Sequence, residues 1–392
     1  MREPARVQAA IELLDAIIEA ARTQSAPADR LIVEYFRTRR YAGSKDRRAI
    51  RELAYDAIRA CGPVPESGRA AMLRVVQERP HMAELFDGSR HAPAPIAACE
   101  EAAEGGIAPH WLVERLAALD IAGNEASALL DRAPLDLRVN TLKASREEIT
   151  LPVAGEPLAA ANALRMPPGT SVEQWPAYQD GLIEIQDHGS QWACQAVSAK
   201  PGETVIDLCA GAGGKTLALA AQMNNYGRLI ACDTDRRRLG RLKARAQRAG
   251  ASIIETLSLD PGKEAEMLVG FARNADAVLV DAPCSSTGTW RRNPEARWRL
   301  TPDFLDRTVE LQARLLDVAS ELVKTGGRLI YATCSLLDEE GAGQIERFLN
   351  RHSGWKAQEL DVPVGQRRGL GVRLTPAHDG TDGFFIAQLA RA

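Results

Sequence analysis

The stretch Asp207-Leu208-Cys209-Ala210-Gly211-Ala212-Gly213-Gly214-Lys215-Thr216 decides the fold. It overlaps the end of an apolar run at residues 204–208, a predicted strand, and it leads into a helical segment. A glycine-rich turn between a strand and a helix lets a ligand approach the backbone, and the helix N-terminus adds exposed amides. The stretch therefore predicts the first strand, loop and helix of an α/β fold that binds a nucleotide-like cofactor.

Apolar strands and helical segments alternate along the rest of the C-terminal half. Strands are predicted at residues 229–232, 277–280 and 328–332, with a weaker one at 252–255. Helical spacing is found at residues 234–248 and 303–324. Continuous apolar strands that alternate with helices indicate a parallel sheet covered by helices on both faces.

The N-terminal part of the chain is helical in pattern. Apolar residues recur at helical spacing up to about residue 60, and prolines and glycines interrupt residues 61–108. One further helix is predicted over residues 109–131, followed by strands at 135–142 and 182–185. We therefore expect three domains: a helical one over 1–108, a small α+β one over 109–190 and an α/β one over 191–392.

Composition excludes several classes of protein. The 49 Lys and Arg residues nearly balance the 52 Asp and Glu residues, and the net charge of −3 excludes a histone-like polycation but not local nucleic-acid-binding patches. No apolar run approaches the roughly 18–20 residues of a membrane span, and the N-terminus lacks a signal-peptide core. Seven cysteines without a CxxC pair argue against a disulfide framework and a structural zinc site. We expect a cytoplasmic protein with no membrane and no metal partner.

Two phosphate-binding patterns fit the glycine-rich loop incompletely. The P-loop pattern is GxxxxGK[ST], and Gly214-Lys215-Thr216 matches its end. Cys209, however, stands at the position of its first glycine. The dinucleotide pattern GxGxxG fails because Thr216 stands at its last glycine.

A third pattern, D-x-x-x-G-x-G, is typical of methyltransferases that use S-adenosylmethionine. Asp207, Gly211 and Gly213 satisfy it. Asp233, at the end of the second strand and 20 residues past Gly213, is placed to accept hydrogen bonds from ribose hydroxyls. The loop and this acid together favour the third pattern.

Two cysteines follow two neighbouring predicted strands, in Asp281-Ala282-Pro283-Cys284 and Thr333-Cys334-Ser335. The carboxyl ends of parallel strands form the ligand crevice, so both cysteines and Asp281 are predicted to face the cofactor. Among Ser, Thr, Pro and Gly, neither cysteine has a reason to be a packing residue. We expect four of the other five to be buried small side chains, as free cysteines usually are: Cys61, Cys99, Cys194 and Cys232.

Two thiols, a carboxyl group and a methyl donor suit methylation of a pyrimidine at C5. A thiolate that adds to C6 makes C5 nucleophilic enough to accept a methyl group. A carboxyl group at the N3 edge stabilises the charge that develops in the ring. A base must then remove the C5 proton so that the sulfur leaves. The residues alone leave open which cysteine attacks.

These motifs resemble the RsmB/Sun-type RNA cytosine-C5 methyltransferases, bacterial relatives of the NSUN enzymes, over nearly the whole chain. The resemblance extends to three further segments: residues 137–143, residues 186–191, and His378 with residues 382–385. It implies a Rossmann-like class I methyltransferase domain, with a mostly parallel sheet, preceded by a small α+β linking subdomain and an all-α NusB-like domain. Asp46-Arg47-Arg48 and residues 51–55 carry the NusB-like part. The family usually has Ala-Pro where this chain has Gly211-Ala212.

The resemblance also implies a role for each site residue. Cys334 would be the nucleophile that bonds cytosine C6, and Cys284 would assist release of the methylated product. Asp281 would contact the cytosine, and Lys215 would face the active site. Asp233 would bind the cofactor's ribose and Asp260 would lie near its adenine. The full set implied to hold S-adenosyl-L-methionine is Cys209, Ala210, Gly211, Ala212, Gly213, Gly214, Lys215, Asp233, Asp260 and Asp281.

Local charge predicts where RNA binds. Residues 37–59 contain eight basic and three acidic residues, and residues 228–248 contain eight basic residues and two acids. We interpret the second cluster as the solvated face of a helix. The segments Trp290-Arg291-Arg292 and Arg297-Trp298-Arg299 combine cations with stacking surfaces and are predicted to contact RNA.

The predicted function is S-adenosylmethionine-dependent RNA cytosine-C5 methylation, with small-subunit (16S) ribosomal RNA as the expected partner. The target cytosine must be unpaired or flipped, because C6 is shielded within a stacked helix. Three alternatives stay open: a tRNA cytosine-C5 methyltransferase, a non-catalytic RNA-binding ribosome assembly factor, and a nucleotide hydrolase that uses Gly214-Lys215-Thr216.

Overall fold

The computed structural model describes all residues from 1 to 392, and they form two compact units. The helical unit consists of Met1–Arg132 and Thr289–Thr301, and the α/β unit consists of Ala133–Gly288 and Pro302–Ala392. Residues 109–132 thus belong to the first unit and 133–190 to the second, whereas the sequence predicts one separate subdomain over 109–190. No helix is both long and apolar enough to cross a membrane.

Six α-helices form the helical unit: α1 (Glu3–Arg22), α2 (Ala28–Thr38), α3 (Ser44–Ala60), α4 (Gly68–Glu78), α5 (His110–Ala117) and α6 (Asn124–Ala128). α1 contributes much of the core, where Leu13, Leu14 and Ile17 are fully buried. Gly68 begins α4 so close to α1 that a Cβ atom there would lie 2.2 Å from the Ile11 carbonyl oxygen. A side chain at this position would push the two helices apart.

The single helix predicted over residues 109–131 is wrong, because this segment forms α5 and α6 instead. Asp120 (φ +64°) and Gly123 (φ +54°) between them adopt positive φ angles, which a right-handed helix does not contain. The apolar spacing that suggested one helix continues across the break, where Ile121 is buried.

Residues 289–301, which we call the capping segment, pack within the helical unit and bind three helix ends. Glu295 accepts the amide of Ala28, the first residue of α2, at 3.0 Å. Arg297 donates to the Ile58 and Cys61 carbonyls at the end of α3, at 2.6 and 2.7 Å. Arg299 donates to the Ala20 carbonyl in the last turn of α1 at 3.1 Å and to carbonyls just beyond that helix. An anion at a helix N-terminus and cations at helix C-termini match the helix dipoles.

The RNA contacts predicted for this segment are therefore wrong for its core residues. Trp290, Arg297 and Trp298 are at most 4% exposed, and Arg291 is buried as well. The Trp298 indole donates to the Gly62 carbonyl at 3.2 Å. Cations next to aromatic rings suit a stacked base, but they equally suit helix ends that need buried donors, and composition does not separate the two.

We expect Arg297→Met to lower the free energy of unfolding by about 2–4 kcal/mol, because the α3 carbonyls would be buried without donors. Urea denaturation followed by circular dichroism measures this. The control is Arg30→Met, which removes an exposed arginine of α2 and should change stability by less than about 0.5 kcal/mol. Equal midpoints for the two variants would contradict a capping role.

The α/β unit contains thirteen strands and eight helices. The strands are β1 (Leu135–Val139), β2 (Glu156–Pro157), β3 (Ala163–Met166), β4 (Ile183–Ile185), β5 (Thr204–Asp207), β6 (Arg228–Asp233), β7 (Ile254–Ser258), β8 (Ala275–Asp281), β9 (Val323–Thr333), β10 (Trp355–Gln358), β11 (Gln366–Arg368), β12 (Gly371–Leu374) and β13 (Phe384–Arg391). The helices are α7 (Pro176–Gln179), α8 (His188–Val197), α9 (Gly214–Gln222), α10 (Arg236–Ala249), α11 (Glu264–Met267), α12 (Pro302–Leu322), α13 (Ala342–Arg351) and α14 (Pro376–Asp379).

Nine of these strands form one sheet with the order β11-β12-β13-β9-β8-β5-β6-β7, and β10 pairs with β13. The five strands from β9 to β7 are parallel, which confirms the α/β prediction, and β10 to β13 add an antiparallel extension. The weak strand predicted at 252–255 begins two residues later, at β7. The other four strands form a small antiparallel sheet with the order β2-β3-β1-β4.

Alternate residues of the parallel strands build two cores, one on each face of the large sheet. On one face Val205, Leu279 and Ile330 pack with apolar residues of α8, α9 and α10. On the other face Ile206 and Val280 pack with apolar residues of α12 and α13. The strands are thus buried on both sides, as their continuous apolar runs predict.

Candidate active site

The ends of three neighbouring parallel strands meet at one edge of the large sheet. Asp207 of β5 is in register with Leu279 of β8, and Asp281 of β8 is in register with Ala332 of β9. The strand order reverses between β5 and β8, which is where open parallel sheets bind ligands. The loops that carry the predicted site residues therefore start side by side.

The glycine-rich loop turns sharply between β5 and α9. Gly211 (φ +58°) and Gly213 (φ +85°) both have left-handed backbone. The Gly213 amide donates to the Ala210 carbonyl at 2.8 Å, which closes the turn. Cys209, Ala212 and Gly214 are partly exposed, and the first amides of α9 have no acceptor within the helix. The loop thus presents backbone to a ligand.

Asp233, the last residue of β6, fixes this loop. Its carboxylate accepts the amide of Gly211 at 2.6 Å and that of Asp235 at 2.7 Å. A carboxylate has about four acceptor positions, so positions remain for hydroxyl donors.

Asp260 lies two residues beyond β7, at the same edge of the sheet. The amide of Leu259 donates to the Asp233 carbonyl at 2.9 Å, which brings the two chain segments together. The Asp260 side chain, however, is 50% exposed and pairs with Arg236 at 3.0 Å. The Asp260 carboxylate thus pairs with an exposed arginine and not with the other predicted site residues.

Lys215 and Asp281 form an ion pair in which Nζ and Oδ2 are 2.7 Å apart. Burial alone would lower the pKa of Lys215, but the Asp281 carboxylate raises it above its ordinary value. Lys215 therefore stays positively charged. Its ammonium also lies 5.6 Å from the ring centre of Phe384, at the start of β13.

The two predicted active-site thiols are in contact. Cys284 Sγ lies 3.4 Å from Cys334 Sγ, and the Ser286 hydroxyl lies 3.6 Å from the latter. The hydrogen bond from the Cys284 thiol lowers the pKa of Cys334, and Ser286 and the Lys215 ammonium act in the same direction, against the effect of burial. The same hydrogen bond and burial raise the pKa of Cys284 well above its ordinary value. Cys334 is thus the thiol that ionises first.

Comparison with known proteins identifies the family. Residues 194–390 match the family described as 16S rRNA methyltransferase RsmB/F. A relative from Sodalis glossinidius, "Ribosomal RNA small subunit methyltransferase B", is 32% identical over 81% of this chain and 74% of its own length. The chain belongs to the RsmB/F family.

Two further comparisons agree with this assignment. The "Probable ribosomal RNA small subunit methyltransferase B" of Synechocystis sp. is 37% identical over 66% of this chain, and the match spans 60% of that relative's length. The crystal structure of PH0851 is 29% identical with a TM-score of 0.80, over 100% of this chain and 99% of that one. The RsmB/F resemblance and the Rossmann-like fold predicted from the sequence are confirmed.

Cysteines outside the site of this RsmB/F family member are mostly packing residues, as predicted. Cys61, Cys194 and Cys232 are buried. The expectation is wrong for Cys99, which is exposed in an irregular segment of the helical unit. Prolines surround it in the sequence, and no regular element covers it.

Two residues that support the site were not predicted from the sequence. Arg245 of α10 donates to the Ala212 carbonyl at 2.8 Å and to the buried Glu184 of β4 at 2.7 Å, so it ties the glycine-rich loop to the small sheet. The arginines at the start of α10 are exposed, as the solvated-face interpretation predicts. The second residue is Glu340, whose buried carboxylate accepts hydrogen bonds from the loops of both cysteines. A single acid within an acidic stretch gives no sequence signal.

The lowered pKa of Cys334 predicts that its thiolate persists to lower pH than an ordinary thiolate, whose pKa is about 8.5. Iodoacetamide alkylation of Cys334, quantified by peptide mass spectrometry as a function of pH, should have its midpoint below that value. Cys284→Ala should move the midpoint to higher pH. Alkylation of the exposed Cys99 corrects for reagent consumption. A midpoint that Cys284→Ala leaves unchanged would contradict the assignment.

The backbone of the loop predicts opposite effects at two adjacent glycines. A Cβ atom on Gly213 would require an unfavourable φ and lie 2.1 Å from Cδ1 of the buried Leu242, whereas a Cβ atom on Gly214 would meet nothing within 4 Å. We expect Gly213→Ala to lower the free energy of unfolding by about 1–3 kcal/mol, and Gly214→Ala, at a helical position, to raise it by up to about 1 kcal/mol. Guanidinium denaturation of both variants tests this, and equal losses would refute it.

Proposed function

We propose that this protein is an S-adenosylmethionine-dependent RNA (cytosine-C5)-methyltransferase that acts on 16S ribosomal RNA through a covalent bond between Cys334 and cytosine C6. The observation that carries the proposal is the contact of the two thiols at 3.4 Å, at the same end of the parallel sheet as the Lys215–Asp281 ion pair. Membership of a family described as 16S rRNA methyltransferases supports the choice of substrate.

The cofactor would bind along the glycine-rich loop and the ends of β6 and β7. Backbone of residues 209–215 would contact it, and Asp233, which retains free acceptor positions, would bind its ribose hydroxyls. Asp260 would approach the adenine once its exposed pair with Arg236 opens. The buried Asp233 carboxylate and the tight turn of the glycine-rich loop fit a nucleoside without phosphates. When bound, S-adenosylmethionine supplies an electrophilic methyl group.

Cys334 would begin the reaction as a thiolate. Its sulfur forms a bond to C6, and the C5–C6 π electrons move toward C5 and the N3 edge of the ring. Asp281, a carboxylate in its pair with Lys215, would accept a hydrogen bond from the cytosine N4 amino group beside that edge, and Lys215 would orient Asp281 and offset the developing negative charge. C5 then takes the methyl group.

Cys284 would act in the second half of the reaction. After methylation, the C5 proton must leave to a base, and its bonding electrons restore the C5–C6 double bond as the Cys334 sulfur departs. Cys284 lies next to Cys334, and its raised pKa keeps it a thiol, whose hydrogen bond would stabilise the departing Cys334 sulfur as a thiolate. Its removal should therefore slow release of the RNA more than formation of the adduct.

The helical unit would serve as the RNA-binding, NusB-like domain. Arg40, Tyr41 and Lys45 lie exposed between α2 and the start of α3, and Tyr41 is 73% exposed. Exposed cations beside an exposed aromatic ring suit contacts to phosphates and an unstacked base. We retain the three predicted functional regions, the RNA-binding one, the linking one and the catalytic one, as part of this proposal.

RNA that contains 5-fluorocytosine tests the mechanism, because fluorine at C5 does not leave as a proton does. With S-adenosylmethionine, the wild-type protein should form a denaturant-resistant complex with fluorinated 16S RNA. Cys334→Ala should form none, because it lacks the nucleophile. Cys284→Ala should accumulate a complex on ordinary RNA, because release is impaired. Denaturing gels with labelled RNA measure all three.

The same assay separates the alternatives. Trapping of fluorinated tRNA but not 16S RNA would indicate the tRNA enzyme. Absence of any complex, from protein that binds both S-adenosylmethionine and RNA by calorimetry, would favour the non-catalytic assembly factor. ATP hydrolysis that Lys215→Ala abolishes would favour the hydrolase.

A further inference from the structure

Backbone pairing between β8 and β9 ends before the two cysteines. The final register pair is Asp281 with Ala332, and the Ala282 amide still donates to the Ala332 carbonyl at 2.9 Å. Beyond this point, the Gly288 amide donates to the Cys334 carbonyl at 2.9 Å. Between these backbone contacts, the side chains next to the two cysteines also hold the loops together.

Those side chains converge on one buried carboxylate. Glu340 is fully buried. Its Oε1 accepts the Ser285 amide at 2.8 Å and the Gln312 side-chain amide at 3.0 Å. Its Oε2 accepts the hydroxyls of Ser285 and of Ser335, the latter at 2.5 Å. Ser285 follows Cys284, and Ser335 follows Cys334, so one carboxylate holds the residue next to each thiol.

Four donors surround the two oxygens of this carboxylate. Ser285 and Ser335 lie 3.1 Å apart but each has one hydroxyl proton, which Glu340 accepts. A glutamine side chain has one acceptor oxygen, and its NH2 group would face the serine hydroxyls, which would have to turn and would lose their shared acceptor. Gln312 also donates to the Pro283 carbonyl at 2.9 Å, which links the same cluster to the residue before Cys284.

We propose that Glu340 is a positioning residue, whose carboxylate clamps Ser285 to Ser335 and thereby holds the sulfur atoms of Cys284 and Cys334 in contact. The effect of this clamp on catalysis rests on the function proposed above, whereas its effect on the distance between the two thiols does not. Glu340 touches neither sulfur; it acts through the two serines, and its charge contributes to the raised pKa of Cys284.

The variant Glu340→Gln removes the clamp with little change in volume, and Glu339→Gln, at the adjacent and partly exposed acid, is the matched control. We expect Glu340→Gln to lower kcat for RNA methylation by about 10- to 100-fold, as small displacements of reacting groups do, with KM for S-adenosylmethionine within about twofold. The pH midpoint of Cys334 alkylation should rise, because the Cys284 thiol no longer donates to it. Glu339→Gln should match the wild type in both measurements.

A folded Glu340→Gln protein with the wild-type alkylation midpoint would overturn the proposal, even if its melting temperature falls, because that result describes a purely structural residue. If Glu340→Gln does not fold, Ser335→Ala replaces it, with the buried Ser320→Ala of α12 as control. Ser335→Ala should raise the midpoint in the same direction, and no rise would overturn the proposal.

The two readouts keep this inference separate from the proposed function. If the wild type traps no fluorinated RNA, the proposed function fails, and the alkylation midpoints of Glu340→Gln and Glu339→Gln still decide whether Glu340 positions the thiols. If the wild type traps RNA and the midpoints of both variants equal that of the wild type, the proposed function stands and the clamp is refuted.

Discussion

The site depends on the parallel pairing of β8 with β9. The register of Asp281 with Ala332 starts both following loops at one level, so Cys284, three residues beyond Asp281, meets Cys334, two residues beyond Ala332. A slip of one residue would turn alternate side chains to the opposite face of the sheet and separate the thiols. The pairing of β8 with β5 adds Lys215 from a third loop. Backbone pairing thus brings the three loops that carry these groups side by side, and side-chain contacts complete their arrangement.

Charge in this region is concentrated and largely shielded from water. Lys215 is the cation that pairs with Asp281 and that also favours the Cys334 thiolate. Burial raises the pKa of Asp207 to about 7, and the Thr216 hydroxyl donates to it at 2.7 Å. Burial thus favours the neutral form of this carboxyl group. The net charge of this region therefore depends on two acids: Asp207, which is buried, and Asp281, which faces the Lys215 ammonium group.

Much of the site could be predicted from the sequence, because the residues that perform chemistry follow apolar strands in recognisable motifs. Cys284 and Cys334 were placed at one sheet edge by the rule that parallel strands end together. Glu340 and Arg245 could not be predicted, since most of their partners lie far away in the sequence and their own neighbourhoods look like ordinary solvated surface. The sequence predicts the wrong role for the Trp and Arg residues of the capping segment for the converse reason: a buried cap for a helix end has the composition of an RNA-binding surface.

The capping segment has a consequence for the order of events during synthesis. The ends of α1, α2 and α3 are completed by residues 289–301, which the ribosome makes only after β1 to β8 of the α/β unit. Domains usually fold in the order in which they emerge. Here the first helices must wait, with exposed ends, until most of the second unit has been translated. Residues 1–132 are for the same reason not a self-contained module that could be cut out or exchanged between related proteins.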